Sequence, residues 1–297
     1  MDEQSVEALY EQVRTTVPTT PGEVPDTLLP VATGIRVLAL RTPTLPPAAH
    51  TNSYLVGPER GPQALIDPGS PYPDQHEILD RVIGEEAEAG RPLALVLLTH
   101  HHGDHVGGAA RLAQRWRVPI AAHANTAARL RGRVPVSRGL VDGETLDEYG
   151  ITCVYTPGHA DGHLCFEHGD ASIVGDMVAG LGWILIDPVE GDMADYLASL
   201  DRLLGRPAKT LLPAHGPVIV DGPAKLREYI AHRTQREDRV VAALTDARSL
   251  EELLPDVYAD TPKLLWPLAE RSLRAHIDKL VREHRAREVE PGRWTRV

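Results

Sequence analysis

A short segment, THHHGDHVGG at 99–108, concentrates side chains that bind metal ions. Four imidazoles and one carboxylate fall within six consecutive positions. His100 and His102 are two residues apart, so on an extended segment both face the same side. Asp104 and His105 follow on the turn that opens the next helix, where they can serve a second ion. Imidazole nitrogens and carboxylate oxygens are typical zinc ligands, and a catalytic site keeps one position open for water. The segment therefore predicts a catalytic metal site.

The elements that must hold these residues are short strands with polar ends. LALVLLTH at 93–100 is a near-continuous apolar run, which indicates a strand buried on both faces. Three later segments repeat the pattern of a short strand that ends in a metal-binding residue, at 152–159, 172–176 and 210–216. Further strands are predicted at 34–40, 52–57, 63–69 and 118–123, and helices at 74–89, 107–116 and 192–205. This order predicts an α+β fold, a sheet sandwich covered by helices.

Five motifs in this order resemble the metallo-β-lactamase superfamily. HxHxDH after an apolar strand is the signature of that fold. LIDPG at 65–69, TPGHADGH at 156–163, VGD at 174–176 and PAHG at 213–216 match its other motifs in sequence order. The resemblance implies an αββα metallo-β-lactamase sandwich, which we assign to residues 34–222.

Carried over residue by residue, the resemblance implies two divalent metal ions. The expected ligands of the first ion are His100, His102 and His159, and those of the second ion are Asp104, His105 and His215. Asp176 is expected to bridge the two ions, together with a water-derived hydroxide. An aspartate at 176, where other members have cysteine, resembles the glyoxalase II-like hydrolases. Zinc is the expected metal, and iron or manganese suits the same ligands. Asp104 is also the expected catalytic residue, because it can orient or receive a proton.

Four further residues are candidates for the surroundings of the metals. Asp67 is expected to orient a ligand histidine by hydrogen bonding, as is usual around such ions. His163 is either a support for the ligands or a structural residue. Trp183 either lines a pocket or packs in the core. His50 lies in the Pro-rich loop 41–51, which either covers the site mouth or is a plain surface connection.

The implied chemistry is hydrolysis without a side-chain nucleophile. A hydroxide shared by two ions attacks a carbonyl carbon or a phosphorus atom. No GxSxG, P-loop or GxGxxG motif occurs in the sequence. We expect a small acyl substrate, either a thioester or a lactone. One candidate thioester is that of an acyl carrier protein, which would then carry the acyl group.

Charge and composition exclude several classes of protein. The formal net charge is −11, which excludes a basic surface over the whole protein. Two cysteines are too few for a disulfide scaffold, and we expect Cys153 and Cys165 to lie in the core. No apolar run approaches the length of a membrane span, and the acidic N-terminus lacks a signal-peptide layout. A cytoplasmic protein that does not interact with membranes is therefore expected.

The chain outside the sandwich is predicted to form two further parts. Residues 1–33 are expected to contain a helix and an irregular segment. Residues 223–297 are expected to form a small winged-helix-like domain, with helices at 223–245, 249–257, 262–269 and 272–284 and a hairpin with a Pro-Gly turn. YIAHRTQREDRVVAAL at 229–244 resembles the β-lactamase-like protein 2 group.

That group supplies the alternative function. It includes endoribonucleases that act on single-stranded RNA, and relatives release acyl chains from carrier proteins. The tail contains six cations that are candidates for phosphate contacts, Arg271, Arg274, Lys279, Arg282, Arg285 and Arg287. The competing interpretation is a solvated face of ion pairs. RNA is therefore the alternative partner, and homo-oligomerisation stays open.

Overall fold

Two β-sheets form the body of the protein, which the computed structural model describes over residues 3–19 and 24–297. In these residues the first sheet has seven strands, and neighbours in the sheet follow chain order. Its strands are β1 (Leu29–Ala32), β2 (Ile35–Arg41), β3 (His50–Val56), β4 (Gln63–Ile66), β5 (Leu93–Leu97), β6 (Ile120–His123) and β7 (Arg138–Leu140). Strands β1 to β4 pair antiparallel, and β4 to β7 pair parallel.

The second sheet has five strands in the described part of the chain, in the order β12-β11-β10-β9-β8. They are β8 (Thr145–Leu146), β9 (Ile151–Tyr155), β10 (Leu164–His168), β11 (Ala171–Gly175) and β12 (Thr210–Pro213). Only the β11–β12 pair is parallel among these strands. Parallel neighbours end at the same sheet edge, so the residues that follow β11 and β12 lie next to each other.

Successive side chains at the end of β5 and just after it point alternately into two different apolar cores. Leu95 and Leu97 pack in the core between the two sheets, whereas Val96 and Leu98 pack in the core under the helices of the first sheet. The predicted strand buried on both faces is thus confirmed. It ends at Leu97, and the residues up to His102 continue without regular structure.

Helices cover both outer faces of the sandwich. α2 (Pro73–Glu88) and α4 (Ala109–Trp116) pack on the first sheet, and α6 (Met193–Leu204) and α7 (Gly222–Ala243) pack on the second. The remaining helices of this body are α3 (Gly103–Val106) and α5 (Ala124–Arg129). The αββα architecture predicted from the sequence is therefore confirmed. One detail differs, because residues 103–106 form a short helix of their own instead of opening α4.

The C-terminal part has its own apolar core. α8 (Leu250–Val257), α9 (Trp266–Arg282) and the hairpin of β13 (Ala286–Glu290) and β14 (Arg293–Arg296) enclose it together with the end of α7. The hairpin turn was predicted, and Gly292 adopts the positive φ of 74° that it requires. The prediction of separate helices at 262–269 and 272–284 was wrong. A single 3-10 turn, Lys263–Leu265, leads into one continuous helix, and Pro267 lies in its first turn, where proline is tolerated.

The N-terminal segment begins with α1 (Glu3–Thr16), which confirms the predicted helix. Part of the expected irregular segment is a strand, because β1 pairs antiparallel with β2. Residues 1–2 and 20–23 of the predicted 1–33 segment lie outside the described residues. The boundaries at 34 and 223 stay predictions. In the described ranges no helix combines the length and the apolar character that a membrane crossing requires.

Candidate metal centre

Loops at the ends of four strands bring the seven predicted ligands together. The loop after β5 and the short helix α3 carry four of them, His100, His102, Asp104 and His105. His159 follows β9, Asp176 follows β11 and His215 follows β12. The first sheet thus contributes one loop and the second sheet three.

The first group of ligand atoms is formed by three histidines. Nε2 of His100 lies 2.9 Å from Nδ1 of His102, and Nε2 of His159 lies 3.1 Å from the same atom. Three nitrogens on one tetrahedral zinc at the usual bond length would lie about 3.3 Å apart. Oδ2 of Asp176 is 3.5 Å from His159 Nε2 and completes the group.

The second group of ligand atoms lies beside the first. Nε2 of His215 is 3.5 Å from Oδ2 of Asp104 and 3.3 Å from Oδ1 of Asp176. Nε2 of His105 is 3.6 Å from the same Asp176 oxygen. Asp176 therefore points one carboxylate oxygen at each group, which is the geometry of a bridging ligand.

The residues fit two cations. Nε2 of His105 and Oδ1 of Asp176 are buried without a hydrogen-bond partner, and such atoms are costly to leave unpaired. Burial would lower the pKa of His105, but the carboxylates of Asp176, Asp104 and Asp67 outweigh burial and raise that pKa well above its usual value. Burial, with the neighbouring histidines, holds the pKa of His100 well below its usual value. The site therefore combines neutral imidazole with concentrated negative charge, which suits divalent ions.

Asp67 contacts a ligand histidine, as expected for an orienting residue. Its Oδ2 lies 2.8 Å from Nδ1 of His105, and the same carboxylate accepts hydrogen bonds from the amide and hydroxyl of Thr99. Asp67 has a positive φ of 52°, in the left-handed region. Its contact turns Nε2 of His105 toward the second group of ligand atoms.

The candidate His163 contacts Asp176, the predicted bridging residue. Its Nε2 accepts a hydrogen bond of 3.2 Å from the amide of Asp176, and its Nδ1 lies 2.8 Å from the hydroxyl of Thr156. The ring is fully buried. It thus fixes the backbone at Asp176 and does not belong to either group of ligand atoms.

Backbone carbonyls orient two further ligands. Nδ1 of His215 donates to the carbonyl of His50 at 3.0 Å, and Nδ1 of His159 donates to the carbonyl of Leu185 at 2.9 Å. His50 is not among the described residues that line the cavity, and the contact it makes with a proposed ligand is through its carbonyl. Its place at the start of β3 leaves the main chain, and not the ring, next to the metal ligand.

Sequence analysis missed Glu190. Its two carboxylate oxygens lie 2.7 Å from Nε2 of His101 and 2.6 Å from Nε2 of His102. Burial would raise the pKa of Glu190, but the two histidines outweigh burial and lower it far below its usual value. Glu190 lies 14 positions after the bridging Asp176 in an irregular segment, where no spacing rule identifies it.

A cavity of about 720 Å³ opens beside the seven predicted metal ligands. Its walls come from the loop 43–48, the segment 179–190 and one face of α1. Trp183 is one of the lining residues, is 46% exposed and stacks on His232 at 3.8 Å between ring centroids. Of the two alternatives left open for loop 41–51, the lining by residues 43–48 favours a cover over the site mouth. The volume lies in the range typical of small-molecule sites.

Comparison with known families agrees with this architecture. Residues 46–215 match the model of the metallo-beta-lactamase superfamily, and residues 249–294 match the model of the beta-lactamase associated winged helix domain. Among solved structures, a beta-lactamase domain protein from Burkholderia ambifaria superposes with a TM-score of 0.79 at 21% identity, over 93% of this chain and 95% of the other. A protein solved in a di-iron-bound form, TTHA1623, has a TM-score of 0.50 at 31% identity, over 64% and 96%.

Two curated relatives are fungal proteins. The lactamase-like protein aptB of Emericella nidulans is 35% identical over 249 residues, which cover 74% of this chain and 76% of the relative. The atrochrysone carboxyl ACP thioesterase of Aspergillus chevalieri is 32% identical over 226 residues, with 72% and 69% covered.

Proposed function

Because the chain belongs to the metallo-beta-lactamase superfamily and is a metal-dependent hydrolase, we propose that it hydrolyses acyl thioesters, with lactones as a chemically related class. A carrier protein is the proposed bearer of the acyl group. Two divalent ions are the proposed cofactors. The chemistry of the ligands favours zinc, and the relative solved in a di-iron-bound form favours iron. The cytoplasmic location and a homo-oligomeric state stay predictions from the sequence.

One observation carries the proposal, a cavity with several apolar lining residues that ends on the proposed metal ligands. Leu45, Leu181, Ile184 and Leu268 are among its lining residues. Neither serine nor cysteine is among the described residues that line it, so a covalent acyl-enzyme on those side chains has no support. Apolar walls suit an acyl chain, because its methylene groups leave water when it binds.

In the proposed mechanism the protein positions water and substrate. Two ions bound by these residues would lower the pKa of a water molecule and polarise the substrate carbonyl. Asp104 faces the cavity and is the residue proposed to orient the attacking water and receive its proton. The water oxygen adds to the acyl carbon, the carbon–sulfur bond breaks, and the thiolate takes a proton. The products are a carboxylic acid and a thiol.

The relative from Aspergillus chevalieri supports the choice of thioesters, since it carries the name of an acyl carrier protein thioesterase. The alternative of RNA lacks comparable support. Five of the six tail cations form ion pairs: Arg271 with Asp187, Arg274 with Asp278, Lys279 with Glu237 and Glu283, Arg282 with Asp192, and Arg285 with Glu237 and Glu283. Paired cations present little net charge to phosphates, and we do not propose a nuclease.

Hydrolysis of N-acetylcysteamine thioesters by the metal-replete protein tests the proposal. We expect release of free thiol that stops with a chelator and returns with zinc or iron. Asp104→Asn should lower kcat about 100-fold or more, because it removes a carboxylate from the reacting groups. A protein that holds two metals but shows no chelator-sensitive turnover of thioesters, lactones or esters would contradict the proposal.

A further inference from the structure

The N-terminal helix α1 forms one wall of the cavity. Val6 and Tyr10 lie one helical turn apart, and both line the cavity. Val6 and Val13 are 6% and 2% exposed, so the helix is packed against the rest of the protein along this face. The superfamily model begins only at residue 46, and the winged-helix model begins at 249. This wall therefore lies outside the residues that the two family models match.

A buried carboxylate ties the wall to the rest of the protein. The hydroxyl of Tyr10 donates a hydrogen bond of 2.7 Å to Oδ2 of Asp187. Arg271 on α9 binds both oxygens of the same carboxylate, at 2.9 Å and 2.6 Å. Asp187 is 3% exposed. We call these three residues the Asp187 clamp, because they join the N-terminal helix, the catalytic body and the C-terminal part.

The clamp fixes the position of α1 next to the site. The carbonyl of Asp187 accepts hydrogen bonds from the amides of Glu190 and Gly191, and its Oδ1 accepts one from Val189. The same short turn thus holds Tyr10 on one side and presents Glu190 to His102 on the other. A wall fixed in this way has a defined distance from the ligand atoms.

We propose that α1 sets the length of acyl group that the cavity accepts, with Val6 as its specificity-determining residue. The inference rests on the proposed function in one respect, since the ligand is the acyl part of a thioester. The metal ligands hold the carbonyl end, and the apolar chain extends toward α1. An acyl chain that reaches Val6 gains apolar contact, and a longer chain meets the helix.

Binding of carboxylic acids to the metal-replete protein tests this role without any turnover. Isothermal titration calorimetry with decanoate and butyrate compares wild type, Val6→Trp and Gln12→Trp. Gln12 is the matched control, because it lies exposed on the same helix. We expect Val6→Trp to weaken decanoate binding about tenfold or more while butyrate changes little, since the added ring occupies cavity volume beside α1. Gln12→Trp should bind both acids like wild type.

Circular dichroism reports whether Val6→Trp folds. If it does not fold, Val6→Ala provides the test instead. It should shift the preference toward dodecanoate relative to decanoate. Equal decanoate binding by wild type and both Val6 variants, or no preference of wild type for decanoate over butyrate, would overturn the inference. Turnover of butyryl and decanoyl thioesters is a separate measurement. Its absence in a wild type that still binds decanoate contradicts the thioesterase function and leaves the role of α1 standing.

Discussion

Glu190 Oε1 lies 2.6 Å from Nε2 of His102, and this contact selects the nitrogen that faces the metal ligands. A histidine that donates Nε2–H to a carboxylate presents an unprotonated Nδ1 on the other side of its ring. That Nδ1 is the atom closest to His100 and His159. The residue that sequence analysis missed thus controls the orientation of one that it found.

Replacement of Glu190 by alanine should weaken binding of the first ion about 10- to 100-fold, as is typical when the partner of a ligand histidine is lost. Metal content after dialysis against a graded series of chelator concentrations measures the change. Glu144→Ala is the matched control, since Glu144 pairs with Arg138 on the surface. Equal metal retention in the two variants would show that the contact to His102 has no orienting role.

Asp176 and Asp104 should differ in how many ions they control. Asp176 points an oxygen at each group of ligand atoms, whereas Asp104 contacts only the second group. We expect Asp176→Ala to lose both ions and Asp104→Ala to keep one, because only the bridging residue is shared. Elemental analysis of the two purified variants gives the stoichiometry. Loss of a single ion from Asp176→Ala would contradict the bridging assignment.

Arg271 should be important for stability. Arg271→Met leaves the buried Asp187 with Tyr10 as its remaining side-chain partner, and breaking a buried ion pair typically costs about 3 kcal/mol. Arg282→Met on the same helix is the control, since its pair with Asp192 is exposed and worth about 1 kcal/mol or less. Urea unfolding of both variants measures the difference. Similar free energies of unfolding would show that the Asp187 clamp contributes little.

Glu237 should make the C-terminal part sensitive to acid. Burial would raise the pKa of Glu237, but its contacts with His276, Lys279 and Arg285 lower that pKa to about 2. A carboxylate with a depressed pKa stabilises the fold above its unfolded value, near 4.5, and this contribution is lost as the pH falls toward 2.

Glu237→Gln should therefore destabilise the protein by about 2 kcal/mol at neutral pH and progressively less below pH 4.5 or so. Thermal unfolding from pH 7 to pH 3 measures the gap between the variant and wild type. Glu251→Gln, at an exposed position on α8, serves as the control. A gap that stays constant across this range would be inconsistent with the ion-pair account.

The sequence predicted most of the site because its signals are local. The spacing of HxHxDH places four candidate ligands close together, and the resemblance to the superfamily adds His159, Asp176 and His215, each at the end of a short strand. Glu190 and Asp187 escaped because they lie in an irregular segment, where only tertiary contacts bring them to His102 and Arg271. Local propensity does not encode such contacts.

The fold, like the site, could be predicted where the sequence signal is local. Short apolar runs predicted β2 to β6, β9, β11 and β12, and the Pro-Gly turn predicted the terminal hairpin, whereas the strands β1, β7, β8 and β10 were missed. The prediction of separate helices at 262–269 and 272–284 was wrong at their junction, because residues 270–271 continue the helix that begins at Trp266. The contribution of α1 to the cavity was also beyond prediction, since helix periodicity does not state what a helix packs against.

The distribution of the ligands over two sheets has a consequence for folding. His100 and His102 follow a strand of the first sheet, whereas His159, Asp176 and His215 follow strands of the second. An ion bound by residues of both sets would cross-link the two sheets of the sandwich. Since only the native chain assembles the full set, metal concentration enters the unfolding equilibrium by mass action. The melting temperature is then a property of the protein together with its supply of metal.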